Sequence, residues 1–315
     1  MATWKAKRKW AGSEARSLME CTGLGDPEAA MHKLVDDLLQ EAEQRAAPVN
    51  LPVVASFRGI LEIRLESMTV AAMLVPIPQG LRISVSINDP IGRRNFSTAH
   101  EICHTLFPNY TKYPVPKVDT FTGGFPIPQE EEYLCDIGAS HLLLPPALVL
   151  PKIQSCPPCL DSVNQLAEDF QSSLEAAAIA WTQASPIPCA VVFFEETLKP
   201  TQIRRKDQLI LPGMESDFRL EPELRISLAC ASPSFPGYLP KHKSADRDGI
   251  IYAALASESR TAGKVVIELR NKCIEVDAES WYVPYRRQGT VQKRVVSFLS
   301  LTGGTKEIRT EPSIL

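Results

Sequence analysis

The chain has 315 residues, 44% of them hydrophobic and 23% charged, with a net charge of −3. That balance supports folded cores of ordinary size and excludes both wholesale disorder and a chain built as a nucleic-acid coat, while leaving room for a local basic patch. No run of 18 apolar residues is present and the basic stretch Met1–Trp10 lacks the apolar core of a secretory signal, so no membrane partner and a cytoplasmic location are expected.

Residues 1–46 read as a basic N-terminal segment followed by a helix. Before Asp26 the chain is polar and charged, and it is expected to be loosely ordered or to contact a partner. A helix then starts with Asp26 as N-cap, Pro27 at the first helical position and Glu28 at the positive end of the dipole. Met31, Leu34, Val35, Leu38, Leu39 and Ala42 give it one apolar face, and Ala46-Ala47-Pro48 ends it. The spacing predicts a short helix over 51–61 and extended chain over 62–66 and 69–75. The clearest strand is Arg82–Asn88, where Ile83, Val85 and Ile87 alternate with Arg82, Ser84 and Ser86. A turn over 88–92 leads to a helix over about 95–106, stopped by Pro108.

Residues 111–128, rich in Pro, Gly and Thr, read as a loop. Residues 130–144 are helical and Pro145-Pro146 breaks them, with a further loop over 151–158. Val163–Phe170 and Leu174–Thr182 are amphipathic, either a helix-turn-helix-like pair across 163–184 or two helices packed into the domain. Beyond Pro186 the texture changes: 189–195, 208–211, 224–231, 264–269, 273–276 and 294–299 read as strands, and 250–256 fits strand or helix. The eight cysteines are scattered and fit reduced thiols better than a disulfide framework. The one close pair, Cys156-Pro-Pro-Cys159, is either a redox dithiol or half a zinc knuckle, or lies in a loop without function, the reading its prolines favour.

The chemistry concentrates in Asn95-Phe96-Ser97-Thr98-Ala99-His100-Glu101-Ile102-Cys103-His104, which contains His-Glu-x-x-His. Helical positions four apart differ by about 40° around the axis, so His100 and His104 leave one face and can grip a single ion. Glu101 points to the side, where it reaches water rather than the ion. Phe96, Ala99, Cys103 and Leu106 supply the apolar side. Zinc with three protein ligands keeps a position for water and lowers its pKa to about 7, and a carboxylate beside it serves as general base.

A third ligand is required, and the next helix offers Glu130, Glu131 and Glu132. Glu132 is selected because Asp136, one turn later on the same face, can accept the second ring N–H of a ligating histidine. Glu130 and Glu131 are read as the solvated start of that helix. His141 faces away and is structural, while His32 and His242 have no ligand spacing.

These two segments, 94–104 and 132–145, resemble the ImmA/IrrE family of bacterial and phage metallopeptidases. That family shows Arg-Phe-Thr-x-Ala-His-Glu-x-Gly-His, then a helix ending Ala-x-x-Leu-Leu-Met-Pro. The likeness covers roughly residues 50–185, and Leu166–Ser173 resembles the Leu-Ala-x-x-Phe-x-Val-Ser run that follows. It implies metal ligands at His100, His104 and Glu132 and a general base at Glu101. It also implies cleavage of a DNA-binding repressor, often of the helix-turn-helix class, in transcription regulation and stress response. Cys103 stands where the family has Gly, and Gly138 where many members have Phe. In some relatives a GAF-like sensor occupies the C-terminal part.

The expected fold is therefore α+β, with a helix-rich zincin-like metallopeptidase domain over 47–186 and a strand-rich C-terminal domain over 187–315 for sensing or substrate recognition. In zincin architecture the strand at 82–88 would be the edge that pairs with extended substrate. The expected function is a zinc-dependent endopeptidase, with manganese as an alternative metal. Its competitor is a metal-binding regulator that binds a repressor or DNA without hydrolysis, and a thiol oxidoreductase using Cys156 and Cys159 is a third reading.

Overall fold

The computed structural model describes residues 10–108, 110, 129–207, 221–268, 273–287, 290–301 and 307–308. The expected loop at 111–128, the strand at 208–211 and most of the basic N-terminus lie outside the described residues. The chain divides into two compact units, Met1–Ser155 with Asn164–Ala177, and Cys156–Val163 with Ala178–Leu315.

The first unit opens with α1 (Ser13–Thr22), where loose order was expected. Ala15 and Leu18, three residues apart, are wholly buried. That single apolar stripe is enough once α2 (Pro27–Glu41) and a later helix receive it, although it is too short to stand out in sequence. α2 forms as expected, with the Asp26 carboxylate accepting from the Ala29 amide at 3.2 Å and Met31, Val35, Leu38 and Leu39 buried. α3 (Leu51–Ser56) is shorter than the expected 51–61, because Ile60 already belongs to a strand.

A three-stranded sheet follows, built from β1 (Ile60–Glu66), β2 (Ala72–Ile77) and β3 (Gly80–Ser86) in the order β1-β3-β2. β3 runs parallel to β1, with Ile63 opposite Ile83, and antiparallel to β2, with Leu74 opposite Ile83. The strand expected at an edge is thus the central one, and β2 is an edge. The alternation in β3 is also not an inside–outside pattern, since Ile83, Ser84, Val85 and Ser86 are all buried. A central strand covered on both faces tolerates small serines on its second face.

α4 (Ile91–His104) begins four residues earlier than expected and packs on β2 and β3. α5 (Gln129–Leu143) lies against α4, α2 and α1. The break at Pro145 is real, but 146–155 form α6 (Pro146–Ser155) with Pro151 inside it, where a loop from 151 was expected. Val149 and Ile153, one turn apart and both buried, hold that helix despite the missing proline N–H. No single helix among the described residues is long and apolar enough to cross a membrane; α5 and α6 together have the length but bend by 51°.

α7 (Leu160–Asp169) and α8 (Leu174–Ala184) appear where two amphipathic helices were expected. The second unit is an antiparallel sheet. Its strands are β4 (Cys189–Thr197), β5 (Glu223–Ala231), β6 (Arg260–Glu268), β7 (Cys273–Tyr282), a separate hairpin of β8 (Tyr285–Arg287) and β9 (Thr290–Gln292), then β10 (Arg294–Ser300) and β11 (Glu307–Ile308). The order is β11-β7-β10-β4-β5, with β6 along β7. α9 (Pro200–Asp207) follows β4, and the stretch that fitted strand or helix is α10 (Ile250–Ser257). β7 alternates, burying Ile274, Val276, Ala278 and Ser280, whereas all seven residues of β10 are buried. The expected α+β class, a helix-rich part followed by a strand-rich part, is what the chain adopts.

Candidate metal centre

α4 is fixed at both ends before it presents anything. At its start, a Cβ on Gly92 would lie 2.7 Å from the carbonyl carbon of Ser172, so only glycine lets the helix approach the turn that joins α7 to α8. Asn95 Nδ2 donates to Gln171 O in the same turn at 2.9 Å. Farther on, Ala99, Ile102 and Cys103 are wholly buried, and His100 and His104, one turn apart on the neighbouring stripe, reach side chains of α5.

The two imidazoles meet through their Nε2 atoms, 3.1 Å apart. The Glu132 carboxylate closes the group, with Oε2 at 3.0 Å from His100 Nε2 and Oε1 at 3.6 Å from His104 Nε2. Donors held tetrahedrally at zinc–nitrogen distances of ~2.0–2.1 Å stand ~3.3 Å apart. The three separations bracket that value, and two nitrogens with a carboxylate are a donor set that zinc accepts.

Each ring is steadied from behind. Asp136 Oδ1 lies 2.9 Å from His100 Nδ1, the contact expected from the Glu132–Asp136 spacing. Glu131 Oε1 lies 3.0 Å from His104 Nδ1. A carboxylate only accepts, so each Nδ1 carries hydrogen and each Nε2 is directed inward. Glu131 is therefore not the solvated residue the sequence suggested. Nor is Glu130, whose two oxygens accept from the amides of Ala11 and Gly12. Acids at a helix start satisfy the dipole wherever they point, which hid these roles. The usable signal was phase: Glu131–Cys135 and Glu132–Asp136 form two adjacent one-turn pairs, one serving each histidine.

Cys135 adds a second donor set. Its Sγ lies 3.2 Å from His104 Nδ1, and the ligand atoms of His100, His104 and Cys135 fall within 4.8 Å of one another. The thiol sits on the Nδ1 side of the ring, beside Glu131, rather than on the side where the two Nε2 atoms meet Glu132.

The acids around His100 favour its charged form. Burial disfavours charge on His100, but hydrogen bonds to Asp136 and Glu132 and the charges of Glu132 and Glu101 outweigh it, raising its pKa from 6.5 to about 9. Glu101 itself is half-buried on α4.

Other residues singled out by sequence go elsewhere. His141 Nε2 donates to Asp36 Oδ1, 2.7 Å away, and the ring stacks on His32 with centroids 4.4 Å apart, in keeping with a structural role. The Tyr133 hydroxyl bonds Glu28, and Tyr110 lies beneath Arg58. Cys103 packs against Gly138 of α5, and burial raises its thiol pKa well above the usual range. A Cβ on Gly138 would meet Cys103 Sγ at 2.8 Å and Met31 Sδ at 2.9 Å. Cys156 and Cys159 are half-buried thiols, and Cys159 immediately precedes α7, with its carbonyl accepting from Val163 N at 3.3 Å. That cysteine thus stands at a helix start and not within the expected loop.

Residues 59–182 match the family model described as the IrrE N-terminal-like domain, Peptidase_M78. This segment is an ImmA/IrrE-family domain. It contains α4, α5 and both histidines, and the family is one of metallopeptidases; α1, α2 and α3 precede the matched stretch. No curated protein matches the chain. Among solved structures, a Mycobacterium tuberculosis transcriptional regulator superposes with a TM-score of 0.51 at 12% identity, over 91% of this chain and 79% of that one. At that identity the likeness extends to the fold alone.

Proposed function

We propose that the chain is a metal-dependent endopeptidase in which His100, His104 and Glu132 hold zinc, or manganese, and Glu101 is the general base. One observation carries this reading: two imidazole Nε2 atoms and a carboxylate converge within 3.0 to 3.6 Å while each Nδ1 is turned outward to an acid. Lone pairs brought that close, largely out of water, are held together by a shared proton or by a metal ion, and a metal ion suits the inward aim of all three groups. Glu132 is preferred to Cys135 because only Glu132 lies where both Nε2 atoms point.

When bound, such an ion supplies a Lewis acid that acidifies water and polarises a carbonyl. The chain supplies the rest. Asp136 and Glu131 fix the tautomer and tilt of the rings. Glu101, next to His100 on the same helix, takes the proton of the attacking water and returns it to the leaving amine. β2, whose outer edge has no strand partner among the described residues, offers backbone groups to an extended peptide.

The substrate we assign is a DNA-binding repressor of the helix-turn-helix class. The family resemblance and the transcriptional-regulator likeness both lean that way. A repressor encoded in the adjacent reading frame is the first to try. Incubated with the zinc-loaded chain it should be cut at one position, and Glu101→Gln should abolish the cut while still binding one metal per chain. An intact repressor, with wild type and Glu101→Gln alike, would favour the competing reading of a regulator that binds without hydrolysis.

A further inference from the structure

The metal-side acids occupy the first turn of α5, and a helix end is where backbone order is weakest. Something must hold that turn, and the contacts come from residues 10–41, outside the stretch matched to the family. The Glu130 carboxylate spans two successive amides, accepting from Ala11 N at 2.9 Å and Gly12 N at 2.7 Å. The Trp10 ring lies 5.9 Å from the Tyr133 ring, whose hydroxyl bonds Glu28 Oε1 at 3.2 Å. One and two turns farther along α5, Met31 fills the space at Gly138 and Asp36 engages His141. These residues alternate along the helix with those that face the histidines: Glu130 and Tyr133 grip the N-terminal segment, and Glu131 and Glu132 reach His104 and His100.

We infer that the segment 10–41 is a positioning element of the metal centre, with the Glu130 clasp on Ala11 and Gly12 setting the first turn of α5 and hence where Glu131 and Glu132 lie. Gly12 is the sensitive point. Its backbone, at φ −68° and ψ 155°, suits any residue, yet a Cβ there would stand 2.7 Å from Glu130 Oε2. Alanine at position 12 therefore disturbs the clasp without straining the chain. The consequence is that metal affinity depends on residues about 120 positions away in sequence that touch no ligand.

The test measures zinc affinity by competition with a chromogenic chelator, on the full chain, for wild type, Gly12→Ala, Glu130→Ala and Glu130→Gln, with metal-free melting temperature recorded for each. The inference rests on the metal reading above, so wild type must first bind one zinc per chain; if it does not, that reading fails and not this one alone. Given binding, Gly12→Ala and Glu130→Ala should each weaken zinc by about tenfold, the lower end of what supporting groups around a metal contribute. Glu130→Gln, which keeps one acceptor oxygen, should fall between them and wild type. A fall in melting temperature with unchanged zinc affinity would show a clasp that merely stabilises the fold and would overturn the inference, as would no change in either quantity.

Discussion

Gly138→Ala gives a sharp test of how α4 and α5 are packed. In an ordinary helix interior this change stabilises by roughly 1 kcal/mol, because glycine is the poorer helix former. Here the added methyl would lie 2.8 Å from Cys103 Sγ and 2.9 Å from Met31 Sδ, about 0.8 Å inside normal carbon–sulfur contact. Overpacking of a filled core costs about 1–3 kcal/mol, so the net expectation is a loss of about 1 kcal/mol. Met31 can swing aside, but the short Cys103 side chain, wholly buried, cannot. Cys103→Ala removes that obstacle, and in its background Gly138→Ala should become neutral or stabilising. The coupling between the two positions is then about 1–2 kcal/mol in favour of the double variant. Because the two units need not unfold together, the measurement is hydrogen exchange of the α4 and α5 amides as a function of urea, for all four chains. Additivity within about 0.5 kcal/mol, the range found for uncoupled sites, would refute the packing argument. So would a gain in stability from Gly138→Ala alone.

Glu131→Gln should weaken zinc binding about tenfold while leaving the fold unchanged, as loss of a carboxylate behind a ligating histidine does; equal affinity would remove Glu131 from the site. Proton linkage gives a third expectation. The folded, metal-free pKa of His100 is raised above its unfolded value of 6.5, so the stability it contributes is fully present below about pH 6.5 and is lost as pH rises through about 9. Metal and proton compete for that ring, so zinc uptake at pH 7.5 should release close to one proton, counted by calorimetry in buffers of different ionisation enthalpy; no release would contradict a charged His100 that gives up its proton to the metal. Gly92→Ala forces a methyl to within 2.7–2.8 Å of the Ser172–Ser173 backbone, which has no rotamer to yield. It should lower the melting temperature of the first unit by several degrees, the size expected of about 1–2 kcal/mol, and an unchanged transition would mean that the turn is not held against α4.

The fold was most legible where one residue carried one signal. Asp26 and Pro27 start α2, Pro145 ends α5, and the His-Glu-x-x-His spacing places both imidazoles on one face of α4. What sequence concealed depended on partners far along the chain. Ala15 and Leu18 make a helix only because α2 and α5 accept them. The burial of Ser84 and Ser86 was hidden because alternation cannot distinguish an edge strand from an inner one. Glu131 looked like a dipole partner because acids belong at helix starts for that reason alone. Cys103 and Gly138, far apart in sequence, meet between α4 and α5: the thiol occupies the space that a side chain at position 138 would otherwise fill.

X-ray absorption at the zinc edge of the loaded chain reads the identity of the donors directly. Coordination by nitrogen and oxygen only, at ~2.0–2.1 Å with imidazole scattering from two rings, is the result expected of His100, His104 and Glu132. A sulfur shell at ~2.3 Å would put Cys135 on the ion in place of Glu132 and rule out the His100, His104 and Glu132 donor set.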